Sequence, residues 1–298
     1  MTESSFSLHP HESLRLGLLR VVDALIDSVS INLDHQPADG KVDIHEVRTT
    51  IKRLRALLRL IRPTVDPAFF NRENRRLRTA AGLLSFARDA EVARVTLKGL
   101  PVSDQADHDA VRSVLAGFED RAEAPTDIGH VVAEVRRYLE QTRRNLHRLT
   151  LHGSEREILK SGLRAVYRQG RRRMRLAIEQ GQDHAFHRWR IRAKNLYYEL
   201  EFLELIWPKR FHRLVSHLVK LQDQIGFDHD AAVLRAWLKK TPEKFGGSEK
   251  VERIVRHLDS RIRELRKQAV PLGRKIWRQK PRRFARQIVR CWPKHKQV

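Results

Sequence analysis

The chain has 298 residues, with 60 lysines and arginines against 36 aspartates and glutamates, a formal net charge of +24 and a pI near 11.0. Its 41% hydrophobic content is enough for a sizeable core and excludes wholesale disorder. No apolar run reaches the roughly 18 residues of a membrane helix, and the single cysteine, Cys291, excludes an intramolecular disulfide framework and a zinc site built from several thiolates.

The first residues carry no basic flank ahead of an apolar stretch, so no secretory signal is expected and a reducing, cytoplasmic setting is. Partners for so basic a protein are polyanions: nucleic acid, an anionic membrane surface or a polyphosphate. Arginines number 44 and lysines 16. The planar guanidinium fork suits phosphate oxygens, whereas ammonium is a point charge. A GC-rich genome would produce the same ratio, but not the net charge.

Taken in chain order, apolar residues recur at three- and four-residue spacing, and strand-like alternation is scarce. Helices are expected over 10–31, 42–62, 67–85, 88–98, 105–121 and 128–149, then over 155–180, 184–206, 210–225, 228–240, 248–269 and 274–291. Asp43 with Glu46, and Ser154 with Glu157, have capping-box spacing, and Pro67 after Asp66 suits a first helical position. Turn chemistry marks the breaks HQPADGK, KGLPVSDQ, EAPTD, LHGSE and TPEKFGGSE.

The chain also repeats. His45-Glu-Val-Arg48-x-x-x-Lys52-x-Leu54 is matched 142 positions later by His187-Arg-Trp-Arg190-x-x-x-Lys194-x-Leu196. Phe86, Asp89, Ala90 and Val92 are matched 141 positions later by Phe227, Asp230, Ala231 and Val233. A near-constant offset over two separated patches argues for duplication, with halves 1–151 and 152–298. Each half holds enough helices for a four-helix bundle with extras. The fold class expected is all-α, with two pseudo-two-fold-related bundles around a shared groove.

Placed at 100° per residue, Arg48, Lys52, Arg55, Arg59 and Arg62 fall within about 80° of one another, with His45 at the edge of the arc. Val47, Ile51, Leu54, Leu58 and Ile61 occupy the adjoining face. One side therefore packs, and its neighbour presents a line of cations about 21 Å long. Like charges at i,i+4 destabilise a helix by roughly 0.2–0.5 kcal/mol per pair, and no acid inside the stripe relieves them. An unmixed stripe points to an external polyanion. Lys160, Arg164, Arg168, Arg171 and Arg175 form a second such arc, extended by Arg172 and Arg173. Arg72, Arg75, Arg76 and Arg78 add cations after Pro63. His187, Arg190, Lys194 and Tyr197 share a face that continues into Glu201 and Glu204. Its anion site should be shorter and lie toward the helix N-terminus, where the macrodipole favours anions. Leu265 to Val298 holds 12 basic residues and no acid. Phe284, Ile288 and Cys291 keep an apolar edge there, so a docked helix with a frayed end is expected; a membrane-surface helix or a loose basic tail are the alternatives.

Five segments stand out together: HEVRTTIKRLRALLRLIRP (His45–Pro63), FARDAEV (Phe86–Val92), YRQGRRRMR (Tyr167–Arg175), HRWRIRAKNLYYELEFL (His187–Leu203) and QIGFDHDAAV (Gln224–Val233). In content and order they resemble the CHAD family, the conserved histidine α-helical domain, over almost the whole chain. The resemblance implies two four-helix bundles and non-catalytic binding of inorganic polyphosphate in a basic central pore or groove. The implied contacts are His45, Arg48, Lys52 and Arg55 in the first half and His187, Arg190 and Lys194 in the second, bridged by the basic helix from Tyr167 to Arg175. With the stripes, the candidate polyphosphate ligands also include Arg59, Arg72, Arg76, Arg164, Arg168, Arg171 and Arg175. Ser85 departs from a glycine often found in the family, and Tyr197 from a common arginine. No segment resembles the CYTH domain that often precedes CHAD, so a stand-alone form is expected.

Nucleic acid draws on the same electrostatics, and weak cross-binding is expected. Trp189, however, adjoins the apolar face with Leu196 and Leu200, where core packing rather than base stacking is expected. No helix-turn-helix or RNA-recognition signature appears. Asp183, His184 and His187 form a weak metal grouping without HExxH or a multi-carboxylate set, so no metal, cofactor or catalysis is expected. Asp89 and Asp230 suit buried ion pairs or helix caps better than catalysis. His45 and His187 suit either phosphate contact or a structural hydrogen bond. Association with polyphosphate granules or a partner protein stays open.

Overall fold

Among the residues described by the computed structural model (6–34, 43–84, 89–118, 128–206, 208–290 and 292), eleven α-helices form and no strand does. They are α1 (Leu14–Asp34), α2 (Ile44–Ile61), α3 (Pro67–Leu83), α4 (Asp89–Lys98), α5 (Gln105–Ala116), α6 (Ile128–His147), α7 (Glu155–Gln180), α8 (Asp183–Phe202), α9 (Pro208–Lys240), α10 (Ser248–Ile276) and α11 (Pro281–Val289). Ser85, Phe86, Trp207, Cys291 and the side chain of Asp89 lie outside the described residues.

The starts follow the capping chemistry of the sequence. The Glu46 amide donates to Asp43 Oδ1 at 3.0 Å and the Phe69 amide to Asp66 Oδ1 at 2.9 Å, ahead of Pro67. The Glu157 amide donates to Ser154 Oγ at 3.4 Å, and that hydroxyl donates to Glu157 Oε2 at 3.0 Å. Each cap meets an amide that the helix itself leaves without a partner.

Two expected breaks are absent. The helices anticipated over 210–225 and 228–240 are one helix, α9. Gly226 is not among the glycines with positive φ. Its neighbours Ile225 and Ala231 are buried, and their packing outweighs the ~1 kcal/mol that glycine costs a helix interior. Likewise α10 runs through Pro271 to Ile276. The side of that turn that matters is Gly273, where an added Cβ would stand 2.4 Å from Trp189 Cζ2.

Helices α1, α2, α3 and α6 close a ring of four, and α2 also packs on α7 and α8. With α8 and α11 packed on α7, and the first part of α9 on α8, these helices share one core. Trp189 sits at its centre as expected, fully buried between Phe186 and Trp277 with ring centroids 5.7 and 5.9 Å away. A second core joins helices from both sequence halves. Leu97 of α4 and Val114 of α5 meet Leu234 and Leu238 of α9, and Ile254 and Leu258 of α10.

The C-terminal basic segment docks, as expected. Phe284 of α11 stacks on Tyr167 of α7 at 3.9 Å, and Tyr167 donates to the Ile276 carbonyl at 2.8 Å. Phe284, Ile288 and Val289 are buried, so the apolar edge faces the protein interior. No helix among the described residues is long and apolar enough to cross a membrane.

One close crossing positions the site. A Cβ on Gly162 of α7 would fall 1.9 Å from the Leu60 carbonyl oxygen of α2. Gly162→Ala is therefore expected to destabilise the protein by roughly 1–3 kcal/mol through overpacking. A urea titration checks this, and an unchanged midpoint would contradict the close contact.

Candidate anion-binding site

The crossing at Gly162 sets the last turn of α2 beside the middle of α7, and α8 follows α7 through the short Gly181 turn. Three arginine-bearing faces meet there. Arg62 after α2, Arg168, Gln169, Arg172 and Arg173 of α7, and Arg192 of α8 line a cavity of about 570 Å³. No carboxylate stands among the described residues of this lining.

Behind it, Arg55 Nε and Arg59 Nη2 donate to Asn74 Oδ1 of α3 at 3.2 and 3.3 Å. The cations repel one another. Burial first, then Arg55 and Arg192, pushes the Arg59 guanidinium down to about 9. Burial, with Arg78 and Arg192, lowers Arg55, and burial, with Arg173 and Arg62, lowers Arg192. Such a set is held by the fold at a standing electrostatic cost, and an incoming polyanion relieves it.

The nearest acid does not compensate. Glu199 of α8 is completely buried, and neither carboxylate oxygen has a hydrogen-bond partner. Burial raises it well above 4.5, against the pull of Arg59. The unfolded chain ionises this group near 4.5, so stability is fully present below that pH and falls as pH rises above it. Glu199→Gln is expected to raise the melting temperature, by an amount that grows with pH above about 4.5 and vanishes below it. A pH-independent difference between variant and parent would contradict a Glu199 carboxyl raised by burial.

A second recess brings the two repeated motifs face to face. Arg48 and Lys52 of α2, His187 and Arg190 of α8, and His229 and Asp230 of α9 line a cavity of about 210 Å³. His187 Nδ1 lies 3.1 Å from His229 Nδ1, with the rings 4.2 Å apart. Burial, then Arg190 and Arg188, holds the His187 imidazole below its ordinary value of 6.5. Arg48 also has a structural task, donating from Nη1 to the carbonyls of Leu84 at 2.8 Å and Ala81 at 3.2 Å at the end of α3.

The other candidate residues are placed apart from these cavities. His45 is exposed in the first turn of α2. Arg72 lies 5.7 Å over the Phe69 ring, and 3.5 Å from Glu73. Arg76 pairs with the same Glu73, which is fully buried and also accepts from Asn145 Nδ2 at 2.8 Å. Arg164, Arg171 and Arg175 lie on α7 outside the lining, and Lys194 is half-buried one turn beyond Arg190. Glu201, which shortens the second stripe, is held across the helix interface by Arg53 at 2.9 Å. Asp183, considered beside His184 and His187 for a metal, is held by Arg266 at 2.6 Å and by Arg235. No group of three or more potential metal ligands occurs among the described residues.

Arg192 was not among the candidates, although a signal for it exists. Arg188, Arg192, Asn195 and Glu199 recur at helical spacing and form a third, polar face of α8, between the histidine face and the Trp189 face.

Fold and cavity together define an all-helical protein with arginine faces gathered at a helix junction. The family model of the CHAD domain matches residues 23–239, and the chain belongs to that family. Among solved structures it is similar to the crystal structure of the CHAD domain from the plant Ricinus communis, with a TM-score of 0.62 and 16% identity over 92% of this chain and 94% of that one. At that identity the likeness is one of fold. No match is found among curated proteins.

Proposed function

We propose that this chain binds inorganic polyphosphate, without turning it over, along the junction of α2, α7 and α8. The observation that carries this reading is the set Arg62, Arg168, Arg172, Arg173 and Arg192 around one cavity whose lining has no acid. A polyphosphate is flexible and densely charged, so rows of guanidinium forks suit it without any base geometry. Binding gains from counterion release, as for nucleic acids. Among its described lining residues the cavity also has no aromatic side chain on which bases could stack, which favours polyphosphate over single-stranded nucleic acid. A cytoplasmic location, with association to polyphosphate granules, would follow from that ligand. The test is titration of labelled long-chain polyphosphate into the parent protein and into the triple variant Arg172→Ala, Arg173→Ala, Arg192→Ala.

The recess at His187 predicts a pH dependence. The imidazole is held below 6.5 and is neutral at pH 7. A bound polyanion favours its protonated form, so affinity is expected to rise as pH falls from about 7 to about 5.5. His187→Gln should flatten the rise. A rise of unchanged size in that variant would assign it to another group.

A further inference from the structure

Another cavity lies elsewhere. It measures about 660 Å³ and sits among the start of α9, the end of α10, α11 and α7. Its cations are Arg213, Lys275 and Arg278, beside His217, and no carboxylate stands among its described lining residues. Arg213, Lys275 and Arg278 are exposed and form no ion pair with a described carboxylate. Its apolar wall is formed by Leu214, Ile276, Phe284 and Ile288, with the Tyr167 ring stacked on Phe284. Two carboxamides, Gln279 and Gln287, complete the lining. The Gln279 side-chain oxygen is buried and meets no donor. His217 is lowered by burial and then by Lys275, Lys220 and Arg213, which places those charges around one point.

This lining shares no residue with the arginine cavity at α2, α7 and α8. Lys275, Arg278, Gln279, Phe284 and Ile288 also lie beyond residue 239, where the family match ends. The chemistry differs as well. The first cavity offers only guanidinium groups and one carboxamide, which suits a bare polyanion. This one joins cations, an apolar wall and two carboxamides, and its volume suits one small organic molecule. An inorganic chain would leave that wall unused. A ring system bearing phosphates would use all three parts: phosphates at the cations, ring against the wall, and ring N–H groups at the carboxamides.

We propose that this recess is a second anion site that takes one nucleoside di- or triphosphate, separately from the polyphosphate site. ATP and inorganic tripolyphosphate carry the same phosphate chain and differ in the organic body, so they are the probes. Calorimetric titration of the full-length protein is expected to give saturable one-to-one ATP binding. Lys275→Ala with Arg278→Ala should weaken it at least tenfold, with unchanged circular dichroism. In the Arg172→Ala, Arg173→Ala background, tripolyphosphate, which lacks the body that the wall recognises, should bind at least tenfold more weakly than ATP. Arg172→Ala with Arg173→Ala should leave ATP binding intact. The proposal is overturned if ATP does not saturate, if the Lys275 and Arg278 variant binds ATP like the parent, or if the Arg172 and Arg173 variant loses it. Failure of long-chain polyphosphate to bind the α2, α7 and α8 junction would overturn the previous reading and leave this ATP result standing.

Discussion

Arg266→Ala is expected to destabilise the protein by roughly 3–5 kcal/mol, because it leaves a buried carboxylate without its partner. Arg266 Nε donates to Asp228 Oδ1 at 2.6 Å, and Asp228 is 1% exposed. The same guanidinium donates to Asp183 at 2.6 Å and stands 4.3 Å over the Phe186 ring. One side chain of α10 thus ties α9 to the first turn of α8, beside His187. Burial already pushes Asp228 above its ordinary value, with Arg266 opposing that shift. Without Arg266 the carboxyl must take up a proton or leave the interior. Chemical denaturation measures the loss. Adding Asp228→Asn should recover part of it, since a neutral amide is less costly to bury than an unpaired charge. A loss under about 1 kcal/mol would mean that the network behaves as an exposed one.

The second large effect concerns binding. The triple alanine variant at Arg172, Arg173 and Arg192 is expected to weaken long-chain polyphosphate by about 10²–10³-fold. Hydrogen bonds to charged groups contribute roughly 1.5–3 kcal/mol each, and neighbouring sites add incompletely. The salt dependence should also flatten, by about 0.7–0.9 in logarithmic slope for each lost contact if polyphosphate behaves as nucleic acids do. Stability should move the other way or hold. Arg173 and Arg62 depress Arg192, so removing Arg173 and Arg192 relieves repulsion. Opposite signs for binding and stability separate a ligand site from a damaged fold. The α2 stripe is less suited to this test, because Arg48 holds carbonyls of α3 and Arg55 and Arg59 hold Asn74.

Much of the fold was legible from helical periodicity and caps, which are local. Asp43, Asp66 and Ser154 cap the helices they were expected to cap. The exceptions were decided by packing at a distance. Gly226 and Pro271 read as breaks locally, but α9 and α10 bridge two cores and continue through both. The site was legible in part for the same reason. Helical spacing collects residues on one face, so it found Arg48 with Lys52 and His187 with Arg190, and the structure sets those pairs around one recess. It cannot say which faces of different helices meet. Arg62, Arg172, Arg173 and Arg192 converge only because α7 crosses α2 at Gly162. Nor does spacing show that Arg76 is taken up by a buried acid, since Glu73 reads as an ordinary surface residue until α6 covers it.

The most direct measurement is a competition titration. Labelled long-chain polyphosphate bound to the parent protein is challenged with unlabelled polyphosphate, single-stranded DNA and RNA at matched phosphate concentration and two salt concentrations. The account predicts that unlabelled polyphosphate displaces the label far better than either nucleic acid, that the preference survives the higher salt, and that the triple arginine variant loses it. Equal displacement by DNA or RNA, collapsing with salt, would make this a general polyanion surface and contradict a dedicated polyphosphate site.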